Sequence, residues 1–264
     1  MRLIFDTHAH YDDEAFGEDR DELLTKILPE SGVCNIVNVG AELQGCYDSI
    51  ALAEQYPYIY AAVGIHPGCL IGLPEDALQQ VETLLKHPKT VAVGEIGLDY
   101  HYDDSAPKDV QKQMFALQLE LALKYDKPVI IHDREAHGDT MDLLRKYRPK
   151  GVVHCFSGSA EMAREVVSLG MYVGLGGSVT FKNARHPVEV AASVPLSSLV
   201  VETDAPYMAP VPFRGKRCDS SLIRYTAERI AQARTEHGEP ITAEEVLRIA
   251  KENAVKLYGV TPED

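Results

Sequence analysis

Eight short apolar runs, rich in β-branched residues and separated by segments of helical period, constrain this chain more than any other feature. They fall at residues 3–5, 34–39, 59–63, 90–93, 129–131, 151–153, 172–174 and 199–201. Each is nearly continuous in its hydrophobicity, the pattern of a strand covered on both faces. Between them, residues 111–124 place Met114, Leu117, Leu121 and Leu123 roughly on one helical face, and residues 160–169 do the same with Met162, Val166, Val167 and Leu169. Residues 222–234 and 243–258 read as closing helices. The second opens on Thr242 with Glu245 three residues on, a capping box. Eight β/α units in 264 residues predict an α/β fold, a single (β/α)8 TIM barrel forming one domain over residues 1–264. An open, doubly wound sheet is the other arrangement this rhythm allows, but no G-x-G-x-x-G follows the first strand to mark a dinucleotide site.

Composition narrows the function classes. No run of 18 apolar residues occurs, so no membrane span is expected, and the first residues read as a strand rather than a targeting segment. Five cysteines, an odd number with no C-x-x-C pair, argue against a disulfide framework and suit a reducing cytoplasm. The formal net charge of −14 argues against a long nucleic-acid footprint and leaves room only for a local site. Bound divalent cations would add positive charge that a residue count misses.

The polar residues that end these runs carry the chemistry. His8 and His10 follow the first strand, and residues two apart on an extended segment point to the same side. Glu95 follows strand four, His132 strand five, His154 strand six and Asp204 strand eight. In a barrel all six meet at the C-terminal rim, where barrel enzymes place their catalytic groups. Four imidazoles and two carboxylates suit zinc, manganese, iron or nickel. Six ligands exceed the needs of one tetrahedral zinc and suffice for two ions if a carboxylate bridges, a recurring device for hydrolysing phosphate esters and amides. Glu202, two residues before Asp204, is expected one layer deeper, orienting a metal-bound histidine. Cys155 is expected to point away and pack. His87, His137, His186 and His237 sit in polar or loop contexts and are read as solvent-exposed.

Other rim residues read as substrate contacts. His66 follows strand three in AVGIHPG and is assigned to substrate, since six ligands already fill two sites. Arg134 lies two residues beyond His132. Ser157, Gly158 and Ser159 precede a helix start, where free backbone N–H groups hold phosphate, although Ser159 is equally an ordinary N-cap. Arg214, Lys216 and Arg217 form one tight basic cluster after strand eight, a phosphate clamp or a solvated loop. Tyr100, Tyr102, Phe156, Tyr207 and Phe213 could stack on unpaired bases or pack.

The segments DTHAH, GIHP, VGEIGLDY, PVIIH, HCFSGS, ETDAPY and RGKR stand here in order, from Asp6 nearly to the chain's end. In this the sequence resembles the TatD family of metal-dependent deoxyribonucleases, of the amidohydrolase superfamily. The resemblance implies a (β/α)8 barrel that hydrolyses DNA phosphodiesters with metal-activated water, as a 3′–5′ exonuclease on DNA ends or single-stranded DNA. It implies two divalent ions (Mg2+, Mn2+ or Zn2+), one held by His8, His10, Glu95 and Asp204, the other sharing Glu95 with His132 and His154. It gives Asp204 the further role of acid–base group. The pattern departs at Cys218, Asp219 and Ser220, where members often carry Asn-Glu-Pro, in a loop expected to border the substrate. A cytoplasmic monomer is the expectation for the assembly. Two alternatives stand beside this reading. One is a related dinuclear metallohydrolase acting on a small-molecule amide, lactone or phosphate ester. The other is a binding protein that keeps the barrel without activity.

Overall fold

The computed structural model describes residues 2–261. Eight strands form one parallel sheet in chain order: β1 (Ile4–Ala9), β2 (Val33–Val39), β3 (Ile59–Val63), β4 (Thr90–Asp99), β5 (Val129–Arg134), β6 (Gly151–Val153), β7 (Tyr172–Leu175) and β8 (Leu199–Val201). The sheet closes on itself at the β1/β8 seam. Ala9 bridges Ala205, the His10 N–H donates to the Ala205 carbonyl at 2.8 Å, and the Asp204 N–H donates to the His8 carbonyl at 2.9 Å. The result is a (β/α)8 barrel. A doubly wound sheet would reverse its strand order at a switch point, and this one does not. Among the described residues no helix is long and apolar enough to cross a membrane.

Phe5, Val37, Ala62, Ala92, Ile130, Val152 and Val200 come from strands all round the barrel and share one buried cluster, which they can do only inside it. Tyr258, from the helix Ala243–Tyr258, stacks on Phe5 with centroids 6.1 Å apart and donates to the Thr7 carbonyl. That helix opens on the expected Thr242/Glu245 capping box.

Three strands run further than their hydrophobicity suggests. β1, β4 and β5 extend through His8, Glu95 and His132, so these residues lie within strands rather than after them. The apolar face expected for residues 111–124 is also different. In the helix Lys108–Lys124 the buried side chains include Gln111, Phe115, Gln118 and Leu119, while Leu117 and Leu123 are exposed. The glutamines face inward because backbone at the end of β4 and just after β3 needs partners. Gln118 accepts from the Ile65 N–H and donates to the Ile65 carbonyl, and Gln111 does the same with Asp99. A primary amide carries a donor and an acceptor on one head, and a leucine would leave both backbone groups buried and unpaired.

The seam depends on one dehydrated carboxylate. Asp6 is fully buried on β1. Its Oδ1 accepts the N–H of His8 (3.2 Å) and of Thr203 (3.0 Å), and its Oδ2 accepts the hydroxyls of Thr203 and Ser220 (both 2.6 Å). Burial pushes its pKa up to about 7 despite these four donors. Ser220 also meets the Tyr11 hydroxyl at 2.7 Å. Within the departure at residues 218–220, Cys218 and Ser220 are buried, and Ser220 braces the seam. Asp6→Ala would leave four buried donors without an acceptor. It should cost about 3 kcal/mol or more and lower the melting temperature by roughly 6–12 °C for a chain of this size. Thermal denaturation followed by circular dichroism checks this, and an unchanged melting temperature would remove Asp6 from its bracing role.

Candidate metal centre

The structure brings His8, His10, Glu95, His132, His154 and Asp204 together at the C-terminal rim. Glu95 is the hub. Its Oε2 lies 3.4 Å from His8 Nε2 and 4.0 Å from His10 Nε2, and its Oε1 lies 2.7 Å from His132 Nδ1 and 2.6 Å from His154 Nε2. Asp204 Oδ1 stands 3.4 Å from His10 Nε2 and 3.7 Å from His8 Nε2. Donor atoms of His8, His10 and Glu95 fall within 4.8 Å of one another, as do those of Glu95, His132 and His154. Two three-donor groups thus share one carboxylate.

Local structure explains the placement. β4 can lie against β5 only because residue 97 is glycine, at φ 146°; a Cβ there would sit 2.0 Å from the His132 carbonyl. Asp204 has a left-handed backbone, φ 61°, a conformation that costs a non-glycine residue about 1–3 kcal/mol. It turns the carboxylate toward the histidines immediately after β8.

This donor set fits a cation. The ring nitrogens of His8 and His10 meet at 3.1 Å, and those of His132 and His154 at 3.4 Å. Each close pair needs either a shared proton or a cation between its lone pairs, and imidazole nitrogens beside carboxylates are the donors a divalent metal takes. With protons as the only cations, burial works against charging His10, but the hydrogen bond and charge of Asp204 and the charges of Glu95 and Asp12 push its pKa up to about 9. Burial would raise Glu95 too, yet His154, His8 and His66 hold it well below the usual carboxylate range.

One residue at the centre escaped notice in the sequence. Asp99, the last residue of β4, is buried, and its Oδ2 meets His132 Nε2 at 3.1 Å, so each nitrogen of that ring faces a carboxylate. It lies four residues past Glu95 within GEIGLDY, and strand alternation could have pointed to it had β4 been read at its full length. His66, expected as a substrate contact, has Nε2 3.8 Å from Glu95 Oε1 and its ring 4.3 Å from that of His132. Glu202 is buried beneath, with Oε1 3.5 Å from His154 Nδ1. Cys155 packs beside it, its N–H donating to Glu202 Oε1.

A cavity of about 620 Å3 opens beside the centre, lined by His10, His66, Glu95, Asp204 and Tyr207, and on its outer wall by Asp12, Asp13, Glu14, Glu42 and Asp48. The expected anion contacts lie elsewhere. Arg134 donates to the exposed Tyr102 hydroxyl at 3.1 Å. Arg214 lies over the Phe181 ring at 4.3 Å, and Arg217 is paired with Asp19 at 2.6 Å. Ser157 is exposed outside the cavity. Ser159 caps its helix, accepting from the Met162 N–H. Of the rings, Phe156 is buried and Phe213 packs on Tyr225, while Tyr102 and Tyr207 stand more than half exposed. His186 and His237 are exposed as expected, but His87 and His137 are half-buried against Glu54 and Asp133.

Comparison with known proteins agrees with this geometry. A family model described as TatD related DNase matches residues 5–259. An uncharacterized metal-dependent hydrolase, YabD of Bacillus subtilis, is 41% identical over 261 residues, covering 98% of this chain and 100% of its own. A protein of Escherichia fergusonii named 3′-5′ ssDNA/RNA exonuclease TatD is 30% identical over 98% of this chain and 100% of its own. The crystal structure of YjjV, a TatD homolog from Escherichia coli K12, superposes with a TM-score of 0.91 at 34% identity, covering 98% of this chain and 99% of that one.

Stripping divalent ions with a chelator should lower the melting temperature. Restoring them at 100 times the dissociation constant should return about 2.7 kcal/mol. Glu95→Ala should abolish stoichiometric metal binding in elemental analysis, and full retention would end its assignment as the shared ligand.

Proposed function

The chain belongs to the TatD related DNase family of metal-dependent hydrolases, and on that premise we propose that it is a deoxyribonuclease that shortens DNA ends in the 3′–5′ direction. The observation that carries this reading is the unbroken set of six convergent residues with Glu95 at its hub, open to a cavity that Asp204 lines. In it, His8, His10, Glu95 and Asp204 would hold one divalent ion and Glu95, His132 and His154 a second. Such ions, when bound, lower the pKa of water and neutralise charge on phosphate oxygens.

The chain's own groups supply the rest. Burial would raise the Asp204 pKa, but the His10 hydrogen bond and the charges of His8, His10 and His154 lower it, so its carboxylate is ionised at neutral pH. It can accept a proton from the attacking water and return it to the departing alkoxide. Asp99 fixes the ring of His132. His66 meets the scissile group from the cavity side. Arg134, Ser157, Arg214 and Lys216 lie outside the cavity and would meet the strand beyond the reacting phosphodiester, with Tyr102 and Tyr207 exposed for stacking.

A second reading has an observation of its own. Five carboxylates on the outer wall of the cavity disfavour an anionic group there, which suits a neutral or cationic small molecule carrying an amide, lactone or ester. One assay separates the two. Metal-stripped protein is given Mg2+, Mn2+ or Zn2+ and a 5′-labelled single-stranded DNA oligomer, beside Asp204→Asn. Stepwise shortening that needs metal, and that falls at least about 100-fold in the variant, is expected. Metal bound without cleavage would reject the nuclease and direct the search to small amides and esters.

A further inference from the structure

Beneath the candidate centre, three polar atoms are buried without a hydrogen-bond partner among the described residues: His8 Nδ1, His154 Nδ1 and Glu202 Oε2. Their residues are 0%, 5% and 1% exposed. The rings of His8 and His154 arrive from opposite sides of the barrel, at β1 and just after β6, and stack nearly parallel, with centroids 4.0 Å apart and planes 11° apart. Each presents Nε2 to a different oxygen of Glu95, so each turns Nδ1 away from it. One nitrogen of each ring and one oxygen of Glu202 lie within 4.8 Å of one another. The other oxygen, Oε1, already accepts the Cys155 N–H. Gly174 makes room for Oε2, since a Cβ there would approach it to 2.6 Å.

Proton counting decides what these atoms can hold. An imidazole that gives its Nε2 lone pair to a cation carries its proton on Nδ1, so the two rings offer two donors and no lone pair. Rings ligated in this way leave no lone pair for a metal ion at this lower position. Glu202 Oε2 is the only acceptor among the three. A water accepts two hydrogen bonds and donates two, and buried waters are typically held by about three bonds to otherwise unpaired groups. Donor and acceptor atoms within 4.8 Å of one another can share one partner at about 2.8 Å, an ordinary hydrogen-bond length.

We propose that His8, His154 and Glu202 enclose a single trapped water, which accepts Nδ1–H from both rings and donates to Glu202 Oε2. Glu202 is then a positioning residue for two histidines, one from each donor group around Glu95, and through the water it couples the orientations of the two metal positions. This rests on the metal-dependent reading above and goes beyond it in giving the two positions a common support.

The test is a binding experiment. Metal-free wild type and Glu202→Gln are titrated with Mn2+, and the melting temperature of each metal-free protein is recorded. Glutamine keeps the shape and the Cys155 contact while removing the charge. Both Mn2+ binding events should weaken about 10–100-fold, with metal-free melting temperatures close together. Weakening of one event only, or of neither, overturns the coupling. A wild type that binds no Mn2+ fails the metal reading itself, a separate outcome. Should Glu202→Gln not fold, histidine-selective 15N spectra of zinc-loaded wild type decide: Nδ1–H on both His8 and His154, protected from exchange, is required, and an Nε2–H form at either ring overturns the proposal.

Discussion

A carboxylate stripped of water holds the barrel shut at the place where its chemistry is built. Asp6 takes hydrogen bonds from the backbone of β1 and from Thr203 beyond β8, and the residues that flank those bonds are His8 and Asp204. Closure of the sheet and placement of the donors are thus one set of contacts. A shift of β8 along β1 would carry Asp204 away from His8 and His10, and would also break the two hydrogen bonds from Thr203 to a buried carboxyl group, which is strongly disfavoured. The rim geometry inherits its rigidity from the seam.

The parts of this arrangement legible in the sequence are those governed by hydrophobic period. Continuous apolar runs mark strands covered on both faces, and eight of them in order give the barrel and its rim. The six donors follow, because each ends or extends a run. What period cannot show is where buried backbone needs a polar partner. Gln111 and Gln118 occupy the inner face of their helix for that reason, and a hydrophobicity reading turned the helix toward Leu117 and Leu123 instead. Asp99 was hidden because β4 runs on through polar residues that hydrophobicity places outside it. Arg217 belongs with Arg214 and Lys216 by spacing, but Asp19, nearly 200 residues away in sequence, claims it, and no local pattern carries that information.

The charge around the centre is more specific than the net value of −14. Carboxylates of the loops after β1 and β2 form one wall of the cavity, and the free cationic side chains of the rim stand further out. A phosphate reaching Glu95 and Asp204 meets a field that repels it until cations are in place. Divalent cations held by the centre would offset part of that negative charge.

The β1/β8 seam also has a consequence for synthesis. His8 leaves the ribosome some two hundred residues before Thr203, Asp204 and Ser220, and still earlier than Tyr258, which reaches back to Thr7. A nascent or truncated chain carries an H-x-H pair but no partner strand to hold it, because contacts this distant in sequence form late. The donors of β1 are therefore held in place only once the segment from Thr203 to Ser220 has been made.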